Sequence, residues 1–296
     1  MRSLRTALGV VALLVVTASP SVGQVIEGPD GPVEFVGLKE WSASDLFDAI
    51  QELAPDQPFH ACAAVMEMEL GFAEAAAMSY RTVGSDDVYT VVVGVEDSAH
   101  VRPRAIGSET LPLLAEVWAL IDGASSQEDR RFARELLARD ASRSAREIAT
   151  LVLGNFVDRD ASWHGLVLSM TDPEDRVAAV AGSLLQGLIY SDRRRPVDWS
   201  QAREPLLAHF GGTNPWSFNL VLRVLVATEV DPEFGRQLAR ERPDLLLAYA
   251  GAEHRGTQAP AIAFLMAISG EDFGTDLEAW TTWLSGRSDS GRSVGE

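Results

Sequence analysis

Apolar positions change their spacing several times along the chain, and each change predicts a different kind of element. After Arg2 and Arg5, residues Ala7 to Val16 are continuously small or apolar. Gly28, Pro29, Gly31 and Pro32 interrupt any regular pattern, which predicts a loose, flexible lead-in over residues 24–37. Helical spacing then appears from Asp45 to Leu53, where Ser42 or Ser44 offers a capping oxygen and Pro55 and Pro58 end the helix. A second helix is predicted over Phe59 to Leu70, stopped by Gly71. Val88 to Val95 is too rich in β-branched residues for a favoured helix and predicts a strand. Ala76 to Val83 is its expected hairpin partner across Ser85, Asp86 and Asp87.

Past Ser108 the helical period dominates. The pattern predicts a lead helix over 111–121, then pairs at 126–138 and 142–156, 160–170 and 173–190, 199–210 and 214–228, and 233–250 and 255–269. A short helix over 276–285 follows. Second members recur about every 31–41 residues, the period of stacked helical hairpins. The expected organisation is a leader over 1–23, the lead-in over 24–37, a small α+β unit over 38–105, helical repeats over 106–285 and a polar, disordered tail over 286–296.

The segment Met170 to Leu188 (Met-Thr-Asp-Pro-Glu-Asp-Arg-Val-Ala-Ala-Val-Ala-Gly-Ser-Leu-Leu-Gln-Gly-Leu) resembles the second helix of a HEAT repeat. Asp172 is the expected cap, Pro173 the first helical residue, Ala178, Ala179 and Ala181 the close-approach positions, and Leu184, Leu185 and Leu188 the core. Weaker echoes occur at 144–153, 219–227 and 259–268, and Trp280 and Trp283 resemble the pair that closes bacterial HEAT-repeat proteins. The resemblance spans residues 110–285 and implies a mainly α fold, an α-α superhelical solenoid behind a small N-terminal α+β unit. It also implies a surface that binds other macromolecules. Some HEAT-like proteins are lyases for linear tetrapyrrole pigments, but the resemblance carries no matching site residues for that chemistry here.

Composition narrows the function. Lys and Arg number 25 against 43 Asp and Glu, a net charge of −18, which opposes binding to nucleic acid or an anionic membrane. The charged start, the apolar run and small Ser21 and Gly23 predict a secretory signal cut before Gln24. The run is half the ~20 residues of a membrane span, so no stable insertion is expected after cleavage, and the protein is expected in the periplasm or outside the cell.

Candidate chemistry is sparse. Cys62 is the only cysteine, so no internal disulfide forms. It lies two residues from His60, but positions i and i+2 of a helix diverge, and the alanines around it read as a buried structural thiol. His60, His100, His164, His209 and His254 are scattered singly and read as packing residues. The acidic groups Asp86-Asp87, Asp158 with Asp160, and Glu271-Asp272 lack calcium-loop spacing. Arg193-Arg194-Arg195 reads as a solvated loop rather than a docking site, and Trp163, Trp199 and Trp216 as packing rather than a peptide or glycan groove. No catalytic, cofactor-binding or metal-ligating residue is assigned and no cofactor is expected. The leading expectation is an exported, non-enzymatic interaction or scaffold protein whose partner is another protein or peptide. The alternative is a hydrolase or other enzyme near Cys62 or at the junction of the two units.

The export reading has a direct check. Protein recovered from its host is expected to begin near Gln24 and to fractionate without detergent; N-terminal sequencing that finds Met1 in the cytoplasmic fraction refutes it.

Overall fold

The computed structural model describes residues 23–55, 57–81, 88–101, 131 and 143–286. The leader, the helices expected at 111–121 and 126–138 and nearly all of the tail lie outside the described residues.

The glycines and prolines expected to keep 24–37 irregular instead shape a hairpin. Strands β1 (Gln24–Gly28) and β2 (Gly31–Val36) pair antiparallel, with Pro29 and Asp30 as the two-residue turn. Gly31 adopts φ +127°, and a side chain there would strike the Val88 carbonyl, so glycine is required. Pro32 costs little because the ladder to the neighbouring strand starts only at Val33. The α+β unit therefore begins at Gln24, not at 38, and the alternation of Val33 and Phe35 with Glu34 and Val36 is the strand signal that the breakers obscured.

Helices α1 (Ala43–Leu53) and α2 (Cys62–Met68) follow, and Ser42 caps α1 by accepting the Asp45 amide at 3.2 Å. Strands β3 (Glu74–Arg81) and β4 (Val88–Val95) form the expected antiparallel hairpin. The sheet order is β1-β2-β4-β3, with β2 and β4 parallel. Period-two alternation gives the sheet two buried faces. Val33, Phe35 and Val92 pack with α1 and α2, around Leu46, Ile50, Phe59, Cys62 and Met66. Val36, Val91 and Val93 belong instead to the large core of the helical part.

That helical part contains α3 (Arg143–Asn155), α4 (Asp160–Ser169), α5 (Asp175–Ile189), α6 (Arg203–Phe210), α7 (Phe218–Ala227), α8 (Pro232–Glu241), α9 (Pro243–Ala250), α10 (Arg255–Ser269) and α11 (Leu277–Leu284). The single helix expected over 233–250 is two, because Pro243 lacks the amide an interior position needs and forces Arg242 out of helical geometry, to φ −138° and ψ 73°. The helices form two rows. In one, α4 packs on α6, α6 on α8 and α9, and those on α11; in the other, α3, α5, α7 and α10 lie side by side. The described chain is thus mainly helical, with a small four-stranded sheet at its N-terminal end.

Asp172 does not cap α5, whose N-cap is Glu174. Its carboxylate accepts the Glu174 amide at 2.9 Å and both Arg146 Nε and Nη2, at 2.7 and 3.1 Å. The aspartate therefore ties the α4–α5 turn to α3 through a pair whose side chains are each 7 % exposed. Ala178 and Ala181 are buried as expected, whereas Ala179 is exposed and Leu184 is half-buried, resting on Gly154.

One buried charge joins the sheet to the helices. Glu34 is fully buried on the helix-facing side of β2. Its Oε2 accepts the Tyr89 hydroxyl at 3.1 Å and the His254 amide at 3.0 Å, and its Oε1 accepts the Glu253 amide. Those amides immediately precede α10, where the helix dipole favours an anion. Nearby, the His254 ring lies 3.8 Å from the Tyr80 ring and its Nδ1 is 3.3 Å from Thr257 Oγ1. Burial holds the His254 pKa below the ordinary histidine value, partly opposed by the Glu34 charge, so the ring is neutral at pH 7. Burial and the Glu34 charge raise the Tyr89 phenol, which stays protonated to donate its hydrogen bond.

Replacing Glu34 with Ala leaves a phenol and two amides without an acceptor, so a loss on the order of 3 kcal/mol is expected. Exposed Glu27→Ala on β1 is expected to change stability by under ~0.5 kcal/mol. Urea unfolding that finds the two variants equally stable removes the assigned role.

Candidate functional site

Cys62 opens α2 beneath the α1 side of the sheet and is 2 % exposed. Ile50, Gln51, Ala54, Gln57, Pro58, Phe59 and Val65 surround it at a cavity of about 10 Å³, space for at most one water. Burial pushes its thiol up to about 12. At neutral pH it is an un-ionised thiol, a poor nucleophile. The side chain of His60 lies outside the described residues.

The other histidines serve separate structural contacts. His209 is fully buried, with Nε2 3.2 Å from the Val167 carbonyl and Nδ1 3.5 Å from Ser217 Oγ. His164 Nε2 is 2.7 Å from the Asp198 carbonyl, and its ring lies 5.5 Å from Trp199. His100 is exposed at the end of a single helical turn. Among the described residues, no three His, Cys, Asp or Glu side chains gather as a metal site would require. Asp160 instead binds Arg195, at 2.6 Å, and Asp272 accepts the Gly274 amide at 3.0 Å.

The arginine run and the tryptophans tie helix pairs together. Arg195 reaches across to the Val157 carbonyl as well as Asp160, and Arg193 to the Asn155 carbonyl, so both join the α5–α6 connection to the α3–α4 connection; Arg194 is left exposed. Trp163 and Trp199 are buried, and their indole nitrogens donate at 2.9 Å to the Val157 carbonyl and to Thr228 Oγ1. Trp280 donates to the Gly274 carbonyl, and Trp283 packs half-buried under the Arg236 guanidinium, 5.2 Å away. Trp216 alone among these five is prominently exposed, at 57 %, in the α6–α7 turn beside the sheet.

The feature that sequence reading missed is the outward face of the second helical row. Along α7, Leu220, Arg223, Val226 and Ala227 remain partly exposed at helical spacing while the rest of the helix is buried. Its neighbours expose Ala179, Ser183 and Gly187 on α5, and Ala259, Ala263 and Met266 on α10. Leu151 on α3 is 42 % exposed and Met266 is 38 % exposed. Within this face the carboxylate of Glu147 is engaged by Arg176 at 3.0 Å. The result is an apolar, small-residue surface poor in acid on a protein of net charge −18. The signal for it is present in the sequence, as small residues four apart, but the same spacing also suits helix faces buried in a core.

Fold and surface together define a class, a mainly helical protein of two packed rows carrying an N-terminal sheet. No protein-family model, curated protein or solved structure matches this chain.

Cys62 makes a pH prediction. Its folded pKa is raised, so the stability it contributes is complete below the unfolded value near 9 and is lost as pH climbs toward 12. Tyr89 and Tyr249, both raised by burial, add to the same trend above the ordinary phenol value. Between pH 9 and 10 the wild type is expected to lose about 1 kcal/mol and Cys62→Ala markedly less. Equal slopes in urea titrations of the two proteins contradict the assignment, as does rapid labelling of the native thiol at pH 7.

Proposed function

We propose that the chain is an exported interaction protein whose helical part is a HEAT-like α-α superhelical solenoid, with the sheet fixing its turn edge, and that its partner is another protein or peptide. The observation that carries this reading is the outward face of α3, α5, α7 and α10. Four neighbouring helices offer a surface on which Leu151 and Met266 are exposed and the other exposed residues are mostly small. Surfaces of this kind engage partner chains because burying apolar area drives association without catalytic groups. Export is compatible with the start of β1 at Gln24, the residue expected to follow the cut. The enzyme alternative loses support at both of its expected places. The Cys62 thiol is un-ionised, and the junction carboxylate of Glu34 is occupied by three donors.

A photo-reactive amino acid placed at Leu151 or Met266 and activated in the producing cells is expected to give one discrete adduct in common. The same group at Met68, which is 74 % exposed on the far side of the sheet, is expected to give none. Adducts at Met68 alone, or none at either helical site, overturn the interaction reading.

A further inference from the structure

The centre of the second-row face carries an unanswered charge. Arg223 is half-buried on α7, and its Nε is enclosed without a hydrogen-bond partner. The Arg236 Nε is enclosed in the same way, but other half-buried arginines pair their terminal nitrogens: Arg195 with Asp160, Arg203 with Glu241, and Arg236 with Glu233. Among the described residues, no carboxylate or carbonyl receives the Arg223 guanidinium. Covering this half-buried guanidinium with a surface that offers no acceptor would be costly.

A second unmatched group lies one turn away. Asn219 is 9 % exposed; its Nδ2 donates to the Gly256 carbonyl at 3.4 Å, but its Oδ1 is buried with no donor. Residues 219 and 223 share a face of α7, being four apart. On either side the surface is lowered by small exposed residues at the same spacing: Ala179, Ser183 and Gly187 on α5, and Ala259, Ala263 and Ala267 on α10. A Cβ built on Gly187 meets nothing within 4 Å, so this lane is open. Small residues four apart let a second helix bring its backbone close.

We propose that this face docks an apolar helix of a partner protein that carries a carboxylate at its centre, paired with Arg223. The proposal rests on the interaction reading above and adds the chemistry of the partner. Charge complementarity selects the occupant: a carboxylate accepts two parallel hydrogen bonds from guanidinium, whereas a neutral or basic residue leaves Arg223 unmatched. Apolar positions around that carboxylate cover Leu220, Ile262 and Met266, which the chain itself leaves partly exposed.

The test uses the full mature chain and three synthetic helical peptides of about 18 residues, some five turns, built from Leu, Ala and Ser with a central Glu, Gln or Lys. Fluorescence anisotropy is expected to show the Glu peptide binding at least ~10-fold more tightly than the Gln peptide, with the Lys peptide weakest. In Arg223→Gln the Glu and Gln peptides are expected to become equal, and in Arg223→Glu the order is expected to invert. Ala263→Trp, which fills the α10 lane, is expected to weaken all three, with circular dichroism confirming that each variant is folded. A Glu-to-Gln ratio unchanged by Arg223→Gln overturns the proposal, as does failure of the Glu peptide to bind. Self-association of the chain that Ala263→Trp abolishes also overturns it, by assigning the face to a second copy. If the peptides fail while adducts still form at Leu151 and Met266, the acidic-helix proposal falls and the interaction reading stands; if both fail, neither survives.

Discussion

A carboxylate buried in a strand organises this molecule. Glu34 sits where period-two alternation demands an apolar residue, between a sheet and a helix bundle, and such a position is tolerable only if every lone pair that loses water finds a donor. The three donors come from two places far from Glu34 in sequence: the Tyr89 hydroxyl on β4 and the amides of Glu253 and His254 ahead of α10. Satisfying them sets where the sheet sits on the helices, because a shift along β2 strands the charge. Glu96 performs a parallel task nearer the surface, accepting the amides of Lys39, Glu40 and Trp41 and fixing the approach to α1.

With the sheet fixed, its two faces do different work. One closes a small core with α1 and α2, and that core holds Cys62 out of reach of solvent. The other extends the large helical core, meeting the α6–α7 turn, where Gly212 has φ +104° and leaves no space for a side chain beside Val95. The helices are then held row to row by polar ties at their turns, among them Arg146 to Asp172, Arg195 to Asp160 and Trp199 to Thr228. Because these groups are committed to turns, the outward face of α3, α5, α7 and α10 is left mostly to apolar and small residues, the exceptions being the Glu147–Arg176 pair and, at its centre, Arg223. The surface available for a partner is thus what remains after the turns have used the polar groups.

Much of this was legible in the chain. Helical periodicity placed α10 at its observed bounds and α4, α5 and α11 within about two residues of theirs, and the β-branched run fixed β4, because amphipathic spacing and side-chain branching act locally. The alanines around Cys62 signalled a buried thiol, which the fold supplies. Tertiary structure decided the rest. Gly28 to Pro32 read as breakers until β4 was present to pair with β2, since a strand's worth depends on its neighbour. Asp172 read as a cap until Arg146 arrived from another helix to claim it. Glu34 carried no sign of its role, because its partners lie about 55 and 220 residues away and a carboxylate in isolation prefers water. The same limit hid Arg223, whose significance is the absence of a partner among the described residues. Sequence determines what each segment prefers by itself, whereas the pairing of buried polar groups is a property of positions brought together only by the folded chain.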